Sequence, residues 1–193
     1  MYTDPVVAYL ESEQLASRIV GPFDSLLNIQ VNRFGVIPKS NQPGKWRPIL
    51  DLSYPPGHSV NDGIDPQWCS LRYATVDQAI AHILQLGRGA LLAKVDVGHA
   101  YRNIPVHPED RHLLGMAWRG QRYIDTTLPF GLRSAPKIFT AVADALEWVL
   151  SQDGLSWSIH YIDDFLTAGC AGTDECANNL RTINPPANGW ACR

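Results

Sequence analysis

The sequence predicts a mixed α+β fold. Paired runs of β-favouring residues flank turn-forming ones at 31–52, 113–128 and 156–168, the pattern of three hairpins. Apolar residues recur at helical spacing over 75–86 and 134–149. The 193 residues suffice for one substantial core or two small intergrown subdomains, and 45% hydrophobic with 18% charged content is that of a globular chain.

In chain order, residues 6–20 carry a weak helical pattern, with acidic residues early and Arg18 late, as the helix dipole prefers. Residues 31–38 and 46–52 read as strands joined through a turn at 42–44, a hairpin bearing Lys39, Lys45 and Arg47. It is either a basic flap over a polyphosphate, Arg47 offering a guanidinium fork and Lys39 a point charge, or an exposed hairpin with solubilising charges. Residues 53–69, rich in Pro, Gly, Asp and Asn, form a loop. A helix over 75–86 follows, with a Thr75/Gln78 capping box, a buried stripe of Val76, Ala79, Ile80, Ile83 and Leu84, and Gly87 as its stop.

Residues 90–97 are almost continuously apolar and predict a central strand covered on both faces, with Asp96 at its end. Gly98 permits a sharp departure, and Tyr101 comes one turn later. A hairpin across 119–121 and a turn-rich linker, 128–136, lead to a helix capped by Ser134 whose stripe includes Ile138, Phe139, Val142, Leu146 and Val149. After the hairpin at 156–168, a helix starts near Thr173 and breaks at the Pro-Pro of 184–189.

No apolar run reaches membrane length, and the N-terminus lacks a basic region followed by an apolar one, so the chain is expected to be intracellular, in cytoplasm or nucleus, and without a membrane partner. Cys69, Cys170, Cys176 and Cys192 show no metal-ligand spacing and read as free thiols. The net charge of −3 is unevenly spread: residues 31–122 hold 11 Lys/Arg against 7 Asp/Glu (+4), and residues 123–193 hold 4 against 8 (−4). That bias suits a phosphate-binding surface beside a cation-binding one, and an ordinary solvated face explains it about as well.

The chemistry concentrates in aspartates. Asp163 and Asp164 adjoin at a hairpin bend, where like charges repel unless a cation or a solvated turn takes them up. Asp is also simply a good turn residue. Asp96, closing an apolar strand, needs a hydrogen-bonding partner or a cation. Three such carboxylates suit metal-assisted phosphoryl transfer.

Lys-Trp-Arg-Pro-Ile-Leu-Asp-Leu (45–52), Val-Asp-Val-Gly-His-Ala-Tyr (95–101), Leu-Pro-Phe-Gly-Leu (128–132) and Tyr-Ile-Asp-Asp (161–164) together resemble the fingers and palm of reverse transcriptases, over residues 31–169. The wording of 34–39 and 57–64 is most similar to retrotransposons of the DIRS-like, tyrosine-recombinase group. The resemblance implies a right-hand polymerase fold, with an N-terminal helical segment over 1–30, fingers over 31–88 and 104–128, and palm over 89–103 and 129–169. It implies an RNA-directed DNA polymerase that takes an RNA or DNA template with primer, together with deoxynucleoside triphosphates. Asp96 and Asp163 would bridge two Mg2+ ions, with Mn2+ as a substitute, the Val97 carbonyl completing a shell and Asp164 supporting. Lys39 and Arg47 would hold the triphosphate, assisted by the amides of His99 and Ala100. Tyr101 would pack under the sugar and exclude a 2′ hydroxyl, beside Phe130, where retroviral enzymes typically carry Gln. Gly131 would admit the base pair, and Tyr161 would lie on the template/primer side.

In the family the palm continues into a further helix and strand, a primer-gripping hairpin and a thumb. From Gly169 only 25 residues remain, so residues 170–193 are expected to be a truncated tail and the thumb absent. A non-catalytic remnant that folds and binds nucleic acid or a partner is the alternative. Another palm-type polymerase is weakened by the bulk of Tyr101.

Overall fold

The computed structural model describes residues 4–25, 28–40 and 42–185. Cys192 and most of the expected break at 184–189 lie outside the described residues. In chain order the elements are α1 (Pro5–Leu15), β1 (Ile19–Phe23), β2 (Val31–Pro38), β3 (Trp46–Asp51), α2 (Val76–Leu86), β4 (Leu91–Asp96), β5 (Gly115–Trp118), β6 (Gln121–Asp125), α3 (Ala135–Gln152), β7 (Ser158–Tyr161), β8 (Asp164–Gly169) and α4 (Glu175–Ile183). They pack as two compact units, Met1–Cys69 with Tyr101–Ala135 and Ser70–Ala100 with Pro136–Arg193. These units divide the chain elsewhere than the expected fingers and palm: residues 70–88 group with the second unit, and 101–103 and 129–135 with the first.

In the first unit, the Asp4 carboxylate accepts from the Val6 amide at 2.9 Å and Pro5 opens α1, a start that leaves few amides unpaired. The helix ends five residues earlier than the sequence pattern suggested. Ser17 takes φ 58°, and the β-branched pair Ile19-Val20 enters β1 instead. Arg18 therefore lies beyond the last helical turn, where it meets Glu13 at 3.4 Å. The sheet runs β1-β6-β5-β2-β3, antiparallel except for a short parallel step between β2 and β5. Asn32 pins that step, its Nδ2 donating to the carbonyls of Leu113 (2.8 Å) and Gly115 (3.0 Å). The β2–β3 hairpin runs in unbroken register from Arg33↔Asp51 to Pro38↔Trp46. Arg119 and Gly120 join β5 to β6 with φ of 50° and 79°, the two-residue turn whose handedness matches strand twist.

Val6 and Leu10 of α1 cover Ile19, Leu50, Leu52, Leu114 and Met116. Beside this core lies an ionic network that the sequence did not announce. Arg102 donates through Nε (3.0 Å) and Nη2 (2.8 Å) to Glu13 Oε2, and through Nη1 (2.6 Å) to Asp125 Oδ2. Arg102, Glu13 and Asp125 are each less than 8% exposed. Burial raises the Asp125 carboxyl pKa against the opposing pull of Arg102, so the carboxylate is sustained by that guanidinium.

In the second unit a three-stranded antiparallel sheet runs β4-β8-β7. β8 is its centre, with Phe165, Thr167 and Ala168 at most 1% exposed. α4 lies on β8 through Asn179, whose Nδ2 donates to the Ala168 carbonyl at 3.1 Å. α2 has both halves of the expected capping box: the Thr75 amide donates to Gln78 Oε1 (2.8 Å) and the Gln78 amide to Thr75 Oγ1 (3.3 Å). Gly87, at φ 84°, ends it as expected.

Three burial expectations are corrected. β4 is an edge strand, not a central one covered on both faces: Leu91 and Leu92 are about half exposed. A continuous apolar run reports capacity for burial, whereas coverage depends on which strands pair beside it. Of the α2 stripe only Ala79 is buried, and Val76 is 75% and Leu84 74% exposed. α3 buries Phe139, Ala143 and Leu150, while Ile138, Val142 and Val149 of the expected stripe stay exposed. The buried face is thus rotated from the expected one, with the small Ala143 at its middle. Cys69, Cys170 and Cys176 are free thiols as expected. No helix among the described residues is long and apolar enough to cross a membrane.

Truncating Arg102 to Met should cost about 3–5 kcal/mol in urea unfolding, because two buried carboxylates lose their counter-charge. Arg119→Ala, which breaks an exposed pair with Asp4, should cost less than about 1 kcal/mol. Equal losses would show that the buried network does not carry the first unit.

Candidate active site

β4 and β8 pair in register from Leu91↔Gly169 to Asp96↔Asp164. Directly opposite residues of an antiparallel pair project from one face, with Cβ atoms about 4.5–5.5 Å apart. Asp96 and Asp164 therefore start side by side. β7 and β8 are joined only by Ile162 and Asp163, with Tyr161 opposite Asp164, so Asp163 sits in the turn, as the sequence suggested. The Val97 amide donates to the Asp163 carbonyl at 2.8 Å, fastening the end of β4 to that turn.

The backbone is strained on both sides of this junction. Ile162 takes φ 57°, costly for a β-branched residue, and His99 and Ala100 take 61° and 30°. The Ala100 amide donates to the Val97 carbonyl at 3.2 Å. Two groups expected to face ligands thus meet each other, although a carbonyl retains a second lone pair.

Burial first, then the charges of Asp96 and Asp164, push the Asp163 carboxyl above its ordinary value, with Lys94 pulling the other way. Lys94 Nζ lies 2.8 Å from Asp164 Oδ2. That contact, with weaker attraction from Asp96 and Asp163, raises the ammonium's pKa. Among the described residues no three His, Cys, Asp or Glu side chains are gathered into a ready metal site. The donor set nevertheless fits a hard divalent cation, being all carboxylate and carbonyl oxygen in a cluster whose own charges oppose one another.

α3 backs the hairpin. His160 on β7 meets Glu147 Oε2 through Nδ1 (2.9 Å) and Asp144 Oδ1 through Nε2 (3.3 Å), and its ring lies on Phe165 at 5.2 Å. Ser158 donates to Glu147 as well. Tyr161 is half exposed and packs on Tyr73, ring centres 4.9 Å apart.

Lys39, Arg47, Tyr101, Phe130 and Gly131 belong to the first unit. Lys39 and Arg47 are exposed on the β2–β3 hairpin. The buried ring of Tyr101 lies 5.1 Å from that of Phe130, which is half exposed. Gly131 has φ 94°, and a Cβ there would stand 2.9 Å from the Leu50 carbonyl, so glycine is required locally whatever lies above it. Its carbonyl accepts from Asn61 Nδ2 at 2.8 Å.

Sequence reasoning missed Lys94 and Tyr73. Lys94 was findable, since it stands two residues before Asp96 and so on the same strand face. Tyr73 carried no signal, because its partner is 88 positions away.

A family model for reverse transcriptase (RNA-dependent DNA polymerase) matches residues 37–191. The chain belongs to the reverse transcriptase family. Its curated relatives include the Pro-Pol polyproteins of Simian foamy virus type 1, 30% identical over 131 residues (67% of this chain, 10% of that protein), and of Simian foamy virus type 3 (strain LK3), 33% identical over 116 residues (59% and 9%). This reverse transcriptase chain spans about a tenth of the length of those polyproteins. Among solved structures it resembles the foamy viral protease-reverse transcriptase dRH in complex with double-stranded DNA (TM-score 0.67, 18% identity, 93% of this chain and 28% of that one). It also resembles the native Prototype Foamy Virus protease-reverse transcriptase (TM-score 0.62, 21% identity, 90% and 20%). At such identities the likeness shows the fold, the α+β fingers and palm expected from the sequence.

The raised Asp163 pKa has a consequence for stability. A carboxyl whose folded pKa exceeds its unfolded value opposes folding once ionised, a penalty absent below about pH 4 that grows as pH rises through the folded pKa. Without divalent cations, Asp163→Asn should therefore melt higher than the parent at pH 7, by a few degrees at most because the carboxyl is largely solvated. The two should coincide near pH 3. A variant less stable at pH 7 would mean that Asp163 is held structurally.

Proposed function

We propose that this chain transfers deoxynucleotides to a primer 3′ hydroxyl, as the fingers and palm of an RNA-directed DNA polymerase. The observation that carries the reading is the β4–β8 register, which brings Asp96 opposite Asp164 and ties Val97 to Asp163 in a chain of this family. Asp96 and Asp163, with Asp164 and the Val97 carbonyl in support, would hold two Mg2+ ions, for which Mn2+ can substitute. Such ions, when bound, lower the pKa of the attacking hydroxyl and offset the charge of the leaving pyrophosphate. The carboxylates' task is to stay fixed in place, which the pinned turn and the strand pairing support.

Lys39 and Arg47 would bind the triphosphate, Arg47 through its fork and Lys39 as a point charge. The amides of His99 and Ala100 would assist. Tyr101, braced by Phe130, would lie under the sugar and leave no room for a 2′ hydroxyl. Gly131 and Tyr161 would serve the template/primer side. Template and primer would be held mostly through phosphate contacts and duplex shape, and a foamy viral relative has been solved with double-stranded DNA. The phrasing of residues 34–39 and 57–64 supports an origin in a DIRS-like retrotransposon.

Purified chain given magnesium, a primed RNA template and deoxynucleotides should extend primers by a few nucleotides at most. A basic bias of only +4 over 31–122 offers few cations to backbone phosphates, and a loosely held primer forfeits much of the ~7–11 kcal/mol that orientation can supply. That low signal should fall in Asp96→Asn and Asp163→Asn by more than the ~10–100-fold that loss of an outer-sphere partner costs. A signal unchanged in both variants would refute the assignment, and long products would refute the weak-grip expectation. In the same assay, Tyr101→Val should narrow discrimination against ribonucleotides by about 10- to 100-fold while sparing deoxynucleotides. Unaltered discrimination would remove Tyr101 from the sugar site.

A further inference from the structure

We propose that Lys94 is a positioning residue for the carboxylate site, an internal counter-cation that holds Asp164 and must give it up when a divalent ion binds. The proposal rests on the metal reading of Asp96, Asp163 and Asp164 above. The register fixes the arrangement: Asp96 faces Asp164, and Lys94 faces Leu166. Alternation along β4 puts Lys94 on the same face as Asp96, so Asp164 is opposite Asp96 and diagonal to Lys94. The four-carbon stem spans that diagonal and brings Nζ to 2.8 Å from Asp164 Oδ2.

A carboxylate directly across from another disfavours the strand pair, and Lys94 offsets this from the same face. Its side chain is 62% exposed, so it fills no core, and an exposed pair adds little stability by itself. Lysine also suits a contact that must open. Its ammonium is a compact, strongly hydrated charge on a flexible stem, whereas arginine would grip a carboxylate with a planar fork. One cation on a ligand carboxylate lowers the affinity of that carboxylate for another, and the coupling is reciprocal. Lys94 thus stabilises the metal-free arrangement and keeps Asp164 oriented, at some loss of divalent affinity.

The test is a Mn2+ titration of the 193-residue chain, followed by water-proton relaxation at fixed ionic strength. It compares the parent with Asp163→Asn, Lys94→Met, Lys94→Gln and Lys94→Arg. The parent should bind Mn2+ in a manner lost in Asp163→Asn. Both neutral variants should bind about three- to tenfold more tightly, and Lys94→Arg should stay within about twofold of the parent or bind more weakly. Parent-like or weaker binding in the neutral variants, with Asp163→Asn still defective, would overturn the role of Lys94 alone. So would tightening in only one of them. Binding that survives Asp163→Asn, or no binding by any variant, would overturn the metal reading and this inference with it.

Discussion

Direct pairing of β4 with β8 is the constraint on which the site depends. Once Asp96 is placed across from Asp164, a one-residue slip is excluded: it would turn the buried Phe165 and Thr167 side of β8 to the opposite face. The Val97–Asp163 hydrogen bond locks the same end. The left-handed φ values at Ile162, His99 and Ala100 lie on either side of this lock. Such conformations persist only where surrounding structure over-determines them, and here two strand registers do so. The core that buries β8 is therefore also what sets Asp96 opposite Asp164.

The chain handles acidic groups in two opposite ways. In the first unit Glu13 and Asp125 are buried and Arg102 satisfies both through three charge-assisted hydrogen bonds. That arrangement is closed, leaving the guanidinium no further task. In the second unit Asp96, Asp163 and Asp164 are partly solvated, and Lys94 is placed against one of them. Burial first, and the neighbouring acids after it, raise the Asp163 pKa. Paired acids support a fold, whereas clustered acids with too little counter-charge oppose it, and a divalent cation reverses the sign of the second case.

Local chemistry made much of this legible in the sequence. The Thr75/Gln78 capping box, the Gly87 stop and the β2–β3 hairpin are each set by neighbouring residues and found where expected, whereas the bend expected at Asp163-Asp164 falls one residue earlier, at Ile162-Asp163, with Asp164 opening β8. What the sequence hid was set at long range. β1 escaped because Ile19 and Val20 follow a helical pattern without a break, and only pairing with β6 makes them a strand. The edge position of β4 and the exposure of Val76 and Leu84 depend on which elements cover them, about which apolar spacing is silent. Arg102 gave no signal because its partners stand 89 and 23 positions away. Lys94 was passed over although its place two residues before Asp96 puts both on one strand face; its contact with Asp164 needs the register as well.

The central proposal is that the β4–β8 register and the Val97–Asp163 hydrogen bond let Asp96 and Asp163 share a cation. Anomalous diffraction from crystals of the chain grown with Mn2+ tests it most directly. The account predicts a peak bonded to carboxylate oxygens of both Asp96 and Asp163, the hard ligands such an ion prefers, and no such peak in crystals of Asp96→Asn. A well-ordered β4–β8 end with both carboxylates free of the ion, or Mn2+ bound only elsewhere on the chain, would contradict it.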